Sequence, residues 1–278
     1  MHVLLILSAL ALAYGLRLNC PLAATDTHQW QQTLVRFLVP PLLLLMTAIS
    51  ILLMGPQGQM IWGHTGWTST LLAASFLVIL LIAGLRYTHR AWQTLHQLNH
   101  YPCIKLHNQT GRYLNTSTPF IARMGFWKSE LVFSQGLLDT FTPEQIAAIL
   151  VHEQAHEYYR DTFWFFWLGW IHQWTRWLPE AEAIWQELLI LRELRADRWA
   201  AQRVDGLLLA ESLMLMVQSP LWSDALCASF SPAAPQSRIE ERIDALLAAP
   251  QETASSNARS WSWILLALLP LLTVPFHH

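Results

Sequence analysis

The sequence is poor in charged residues, and the few that it has are unevenly spread. Only 13% of its 278 residues are Asp, Glu, Lys or Arg, whereas 53% are hydrophobic. Residues 1–85 carry only Arg17, Asp26 and Arg36, and residues 260–278 carry no charge at all. This balance excludes an ordinary soluble domain and predicts membrane segments on either side of a more polar central part.

Cysteine is also scarce, and net charge is small. The three cysteines, Cys20, Cys103 and Cys227, are odd in number and far apart, which argues against a disulfide framework and against a cysteine-based metal site. The formal net charge of −2 gives no indication of a nucleic-acid partner. We therefore expect no direct binding to nucleic acid.

Four apolar runs are long enough to be considered as membrane spans. They are Met1–Leu16, Leu34–Met54, Ser69–Leu85 and Trp261–Pro275. The first and last are short and would need a tilted or thinned placement. The first run is alternatively a signal peptide, although it lacks a basic start and a good cleavage site.

The arginines near the span ends predict an orientation. Arg17 and Arg36 flank the first loop, Arg86 and Arg90 follow the third span, and the second loop, Gly55–Thr68, has no charge. The positive-inside rule then places the polar part in the cytoplasm and the amino terminus outside. We predict three spans in residues 1–90, a cytoplasmic domain in residues 91–258, left through the linker "QETASSNARS", and a fourth span in residues 259–278. Within the domain, "YPCIKLHN", "TPFIARMGF" and "ELVFSQ" predict short strands.

A helix in the polar part carries the most informative motif, "IAAILVHEQAHEYYRD", residues 146–161. Thr142, Pro143 and Gln145 predict its start, because T-P-x-Q forms a capping box with proline at the first helical position. His152 and His156 stand four apart, so both point from one helix face and can hold one zinc ion. Random placement gives this H-E-x-x-H spacing roughly 0.02 times in such a chain. The alternative is a helix with two partly exposed histidines.

Glu153 follows the first histidine and can reach a water molecule on the metal, whose pKa zinc lowers towards about 7. A third ligand should come from a second helix, predicted at about residues 180–204, which contains "RELRAD". There Glu193 is the candidate ligand. Asp197, on the same face, would accept a hydrogen bond from a ligand histidine. The alternative for this pair is a solvated face, because arginines surround Glu193.

The motifs "HEQAHEYYRD" and "RELRAD" resemble those of the gluzincin membrane proteases, in which H-E-x-x-H-x-x-x-x-D precedes E-x-x-A-D. Two branches share the pattern: the HtpX and CAAX-prenyl-protease branch, and the BlaR/MecR branch of antibiotic-sensor metallopeptidases. The resemblance covers roughly residues 115–205, with a weaker similarity at "RIEERIDALL". The order of three spans, protease and fourth span resembles the BlaR/MecR branch without its external sensor domain.

The resemblance implies an α+β, zincin-like membrane protein: about four transmembrane helices around a mainly helical metallopeptidase domain with a small sheet. It implies one zinc ion per chain, held by His152, His156 and Glu193, with Glu153 as the general base. Asp197 and Asp161 would support the ligands. A substrate would lie as an added strand along the edge formed by Phe120, Ile121, Ala122 and Arg123.

The implied function is regulatory proteolysis by an integral, multi-pass protein of the bacterial inner membrane, with a protein or peptide substrate, for instance a winged-helix repressor. HtpX-like quality control and a catalytically weak transducer are the alternatives. One departure favours the latter: HtpX-type relatives have a histidine in the segment that corresponds to "FSPAAPQSRIEERIDALL", and here only Gln236 or Arg238 stands near that place.

A stripe of tryptophans between the two motifs leaves three alternatives open. Its members recur every three or four residues in Phe163–Leu178, at Trp164, Trp167, Trp170, Trp174 and Trp177. A buried core helix and a helix at the bilayer surface are both compatible with it. A full crossing is disfavoured by the polar residues of the segment.

Overall fold

The computed structural model describes residues 2–18, 26–56, 59–60, 63–64, 67–218, 238–248 and 261–276. It is mostly helical, at 76%, with a small mixed sheet of four strands. The helices are α1 His2–Leu18, α2 Asp26–Met54, α3 Trp67–Leu98, α4 Gln135–Thr140, α5 Pro143–Tyr158, α6 Asp161–Thr175, α7 Ala181–Ala201, α8 Gly206–Gln218 and α9 Ile239–Leu247, and a 3₁₀ helix spans Trp261–Phe276. The strands are β1 Gln59–Met60, β2 Gly63–His64, β3 Cys103–Leu106, β4 Gln109–Leu114, β5 Ile121–Met124 and β6 Glu130–Ser134.

Contacts divide the chain into two units. The first comprises Met1–Arg86, Trp170–Leu188 and Thr253–His278. The second comprises Tyr87–Gly169 and Leu189–Glu252. The predicted domain limits at residues 90 and 258 stay a prediction, and the linker "QETASSNARS" lies outside the described residues.

The first unit contains α1, α2, most of α3 and the 3₁₀ helix. Two of them, Gln29–Met54 and Trp67–Leu98, are long and apolar enough to cross a membrane. His2–Leu18 and Leu265–Pro275 are apolar but shorter, so the prediction of four spans stays a prediction. Pro40 and Pro41 lie inside α2 without ending it, which membrane helices tolerate when neighbours satisfy the freed backbone groups.

The second unit contains a mixed sheet in the order β3-β4-β6-β5. Strands β4 and β6 are parallel, and the other two pairs are antiparallel. The predicted strands are β3, β5 and β6, and β4 was not predicted because its polar sequence contains Gly111. A Cβ at Gly111 would lie 2.8 Å from the Leu131 carbonyl oxygen and 3.0 Å from the Phe133 ring. The glycine therefore permits the close approach of β4 to β6.

An apolar core joins this sheet to α5. Leu131 and Phe133 of β6 belong to one buried cluster with Ile146, Ile149 and Leu150 of α5. A partly exposed ion pair at 2.8 Å, between Arg123 of β5 and Glu157, adds a polar connection. The edge strand is thereby positioned beside the helix that carries both motif histidines.

Candidate metal centre

The start of α5 is built as its sequence predicts. The Thr142 hydroxyl accepts a hydrogen bond from the Gln145 backbone N–H, and the Gln145 side chain accepts one from the Thr142 N–H. Pro143 occupies the first turn. The prediction of a capping box is confirmed, and it sets the helix register two turns before His152.

Three predicted ligands converge. The Nε2 atoms of His152 and His156 lie 3.2 Å apart. Glu193 of α7 places Oε2 3.3 Å from the His152 Nε2 and Oε1 3.8 Å from the His156 Nε2. Ligand atoms bound tetrahedrally to one zinc ion at about 2.0–2.1 Å are about 3.3–3.4 Å apart. The three side chains, with His152 and Glu193 buried, could therefore hold a metal ion with only small adjustments.

The other ring nitrogen of each histidine faces a buried carboxylate. The Nδ1 atom of His152 lies 2.9 Å from Asp197 Oδ1, and the Nδ1 atom of His156 lies 2.8 Å from Asp161 Oδ2. Both carboxylates are buried. Such partners keep the proton on Nδ1 and direct the Nε2 lone pair towards the metal position. Both Nε2 atoms then face the same point, where only a shared proton or a cation relieves their repulsion.

Arginines neutralise the carboxylates of the site. Arg192 donates two hydrogen bonds to Glu193 Oε1, from Nε at 2.9 Å and Nη2 at 2.6 Å. Arg242 of α9 donates to both oxygens of Asp197, at 2.7 and 2.8 Å, and its Nη2 lies 3.4 Å from Glu193 Oε2. Arg195 pairs with Asp161. Each buried negative charge thus has a positive partner, which buried carboxylates require.

These charges shift the pKa values of the ligands. Burial acts to lower the pKa of His152, but the carboxylates of Asp197 and Glu193 outweigh it and raise this pKa to about 10. Burial acts to raise the pKa of Glu193, but Arg192 and Arg242 outweigh it and hold this pKa well below its usual value. Without a metal ion the pair is therefore a protonated His152 beside an ionised Glu193. A metal ion must displace the proton.

Sequence reasoning missed the role of the arginines. The charges around Glu193 were an argument for a solvated face, yet Arg192 is 5% exposed and Arg242 is 9% exposed. Arg242 lies in "RIEERIDALL", the segment of weaker similarity, and that similarity was the available signal for it. Of the other two candidates there, Arg238 donates hydrogen bonds to Glu241, and Gln236 lies outside the described residues.

The predicted roles of Glu153 and of the edge strand stay predictions. Glu153 is buried on α5 beside His152. Strand β5 is the outer strand of the sheet, with Phe120 immediately before it and Ile121, Ala122 and Arg123 within it. Its outer edge is unpaired within the described sheet, as an added substrate strand requires.

A cavity of about 460 Å³ continues from this edge. It lies between the turn after β5 and the junction of α5 with α6. The residues that line it are Phe126, Trp127, Lys128, Ser129, Glu157, Arg160, Thr162 and Phe163. Glu157, which is next to the candidate ligand His156 in the sequence, contributes to this lining.

Comparison with protein-family models and with curated proteins gives no match. The resemblance to the gluzincin membrane proteases therefore rests on the motifs and on the geometry that the motif residues adopt.

Proposed function

We propose that the protein is a zinc-dependent membrane endopeptidase. The observation that supports this most is the convergence of His152, His156 and Glu193: the two Nε2 atoms lie 3.2 Å apart, and the two Glu193 oxygens lie 3.3 Å from one of them and 3.8 Å from the other. The orientation of each histidine by a buried aspartate adds to it, since ligand histidines usually donate their other N–H to such a group. Two histidines and a carboxylate are a donor set that suits zinc.

A bound zinc ion supplies Lewis-acid activation of water and of the substrate carbonyl. The remaining chemistry belongs to the chain. Glu153 takes the proton of the attacking water and delivers it to the leaving amine. Asp197 and Asp161 hold the two rings in the ligating orientation, while Arg192 keeps Glu193 ionised and fixed. The substrate backbone pairs with β5, and one side chain enters the cavity at Phe126 and Phe163.

The apolar helices support a place in the membrane, with Gln29–Met54 and Trp67–Leu98 as spans. We propose the multi-pass arrangement predicted from the arginines, with the peptidase part on the cytoplasmic face of a bacterial inner membrane. The tryptophan stripe agrees with a site near the bilayer surface, because Trp164, Trp167 and Trp177 are 55%, 43% and 50% exposed. Substrates would then be proteins at or close to that surface, a winged-helix repressor among them.

The test removes the base and leaves the ligands. Glu153→Gln keeps the shape of the side chain but cannot take the proton, so zinc content should stay at one per chain while peptide cleavage falls at least about 10²-fold. Glu144→Gln, an exposed substitution of the same type in the same helix, is the matched control and should change neither. Glu193→Ala should lose the zinc.

The assay is co-expression with a candidate repressor or membrane substrate, followed as the full-length band, with zinc measured on the purified protein. Equal processing by wild type and Glu153→Gln, with zinc in both, would refute the role of Glu153. If signalling occurred without cleavage of any substrate and were the same in Glu153→Gln as in wild type, the alternative of a catalytically weak signal transducer would be supported.

A further inference from the structure

Two arginines of the first unit are buried without a negative partner. Arg17, in the last turn of α1, is 0% exposed, and Arg36 of α2 is 8% exposed. Arg17 Nη2 donates to the Phe37 carbonyl at 3.3 Å, and Arg36 Nη2 donates to the Arg17 carbonyl at 3.0 Å. These bonds fasten the end of α1 to α2, but they involve only neutral backbone oxygens.

The other polar atoms of this pair are not satisfied. Arg17 Nε and Nη1 and Arg36 Nε are buried and lack a hydrogen-bond partner. Neither guanidinium forms an ion pair with a carboxylate anywhere in the described residues. Two buried charges of the same sign cannot persist without an opposite charge, because desolvation and mutual repulsion both oppose them. Among the described side chains no carboxylate fills this role, which leaves the pair suited to a bound anion.

A further basic residue, Arg176, lies in this region. His172 is stacked on Trp185, with ring centroids 4.9 Å apart, and lies close enough to Arg17 and to the exposed Arg176 to feel both charges. Glu182 approaches His172 rather than the arginine pair, at 3.2 Å from its Nε2. The region around Arg17 is therefore suited to an anion with several negatively charged oxygens, such as a phosphate.

An apolar cavity of about 320 Å³ lies in the same unit. Its walls come from α1, α2, α3 and Trp177, and include Ile6, Leu10, Leu44, Ala48 and Phe76. Ala9, which also lines it, shares the buried face of α1 with Ala13 and Arg17.

Both helices place the cavity at the same distance from the arginines. Ala9 precedes Arg17 by eight residues, and Leu44 follows Arg36 by eight residues, which is about 12 Å along either helix. A site for an anionic group, with an apolar cavity about two helical turns away from it, fits a single molecule that has a phosphate head group and an acyl chain.

We propose that α1 and α2 bind one anionic phospholipid, with its phosphate at Arg36 and Arg17 and one acyl chain in the cavity. Arg36, the more exposed of the pair, makes the direct contact. Arg17 lies behind it and contributes its uncompensated charge, and Arg176 lies at the mouth beside Trp177. Basic pockets between membrane helices bind anionic head groups in this way. The site is independent of the proposed peptidase.

The experiment measures thermal unfolding and native mass spectra of the detergent-purified full chain with three additives. These are dioleoylphosphatidylglycerol, dioleoylphosphatidylcholine with the same chains, and inorganic phosphate. Phosphatidylglycerol should stay bound in a one-to-one complex and raise the Tm, with an affinity at least tenfold above that of phosphatidylcholine. Phosphate alone should give neither effect, because the acyl chain contributes part of the binding.

Variants of the chain test the phosphate site and the acyl-chain cavity separately. Arg17→Gln/Arg36→Gln should bind phosphatidylglycerol at least tenfold more weakly, whereas Arg86→Gln/Arg90→Gln, which removes the same charge from exposed positions near the same predicted membrane face, should bind as wild type. Ala48→Phe, which fills the cavity and keeps both arginines, should also weaken binding.

Equal affinity of the wild-type chain for both lipids, or a full effect of phosphate alone, would overturn the proposal. So would undiminished binding by the Arg17→Gln/Arg36→Gln variant. The comparison of the two lipids uses only the wild-type chain, so it tests the proposal even if a variant fails to fold.

Discussion

Replacing the two aspartates behind the histidines should have the same effect on the metal and different effects on stability. Asp197→Asn and Asp161→Asn each keep the side-chain shape but remove the charge that faces a ligand Nδ1. Outer partners of this kind contribute 10–100-fold to metal affinity, so each variant should bind zinc about 10–100-fold more weakly. Competition with a chromophoric chelator measures this.

The stability effects should differ because the arginine partners differ. Arg242 is 10% exposed in its side chain, and Asp197→Asn removes its main negative partner, so this buried charge keeps only Glu193, 3.4 Å away. Removing one partner of a buried pair costs about 3–5 kcal/mol. Arg195, the partner of Asp161, is 29% exposed and can turn towards water. Asp161→Asn should therefore cost only about 1–2 kcal/mol.

The measurement is thermal unfolding of protein stripped of metal, so that zinc affinity does not enter. The double variant Asp197→Asn/Arg242→Gln removes both charges and should recover about 1–3 kcal/mol of the stability that Asp197→Asn loses. If the two residues did not interact, the stability losses of the two single variants would simply add. Equal stability of the two aspartate variants, or wild-type zinc affinity in Asp197→Asn, would refute the reasoning.

Three further predictions follow from the structure. Because the pKa of His152 is raised, its contribution to the stability of metal-stripped protein is full below about pH 6.5 and is lost as pH rises through about 10; at pH 8, zinc binding should accordingly release about one proton, measured by calorimetry in buffers of different ionisation enthalpy, whereas an ordinary histidine would release almost none. Gly111→Ala should destabilise the protein by about 1–3 kcal/mol, because its Cβ would meet the Leu131 carbonyl oxygen at 2.8 Å, and wild-type Tm in this variant would contradict the described pairing. A thiol reagent that does not cross the membrane should label Gln57→Cys in intact cells and Gln251→Cys only after permeabilisation. Both positions lie outside the described residues. Labelling of Gln251→Cys in intact cells would contradict the predicted orientation.

The convergence of the metal site could be predicted because each part of it is local in sequence. His152 and His156 share a face by helical spacing alone, and the capping box at Thr142 fixes where that helix begins. Glu193 and Asp197 share a face for the same reason. Helical periodicity predicts which side chains lie on one face. Because one face carries two histidines and the other two carboxylates, the sequence also predicts that the two faces are in contact.

What was missed depends on contacts between distant segments. The pairing of Arg242 with Asp197 joins residues 45 positions apart, and no spacing rule reports such a pair. Strand β4 was missed because Gly111 and its polar neighbours favour a turn locally, while the tight approach to β6 makes glycine necessary there. The burial of Arg192 was missed because an arginine-rich helix is usually solvated, and only the acidic centre beside it reverses that preference.

The pair of hydrogen bonds from Arg192 to Glu193 also bears on which metal the site accepts. Oε1 accepts hydrogen bonds from both Nε and Nη2 of Arg192, whereas Oε2 has Arg242 Nη2 at the longer distance of 3.4 Å, so Oε2 is the oxygen more available to a metal ion. Calcium takes six to eight oxygen ligands and commonly binds a carboxylate through both of its oxygens. Two nitrogens and one oxygen are too few for calcium and suited to zinc. On the proposed zinc-binding function, Arg192 would favour ligation through one oxygen, and its replacement by a shorter neutral residue should broaden the range of ions that the centre binds.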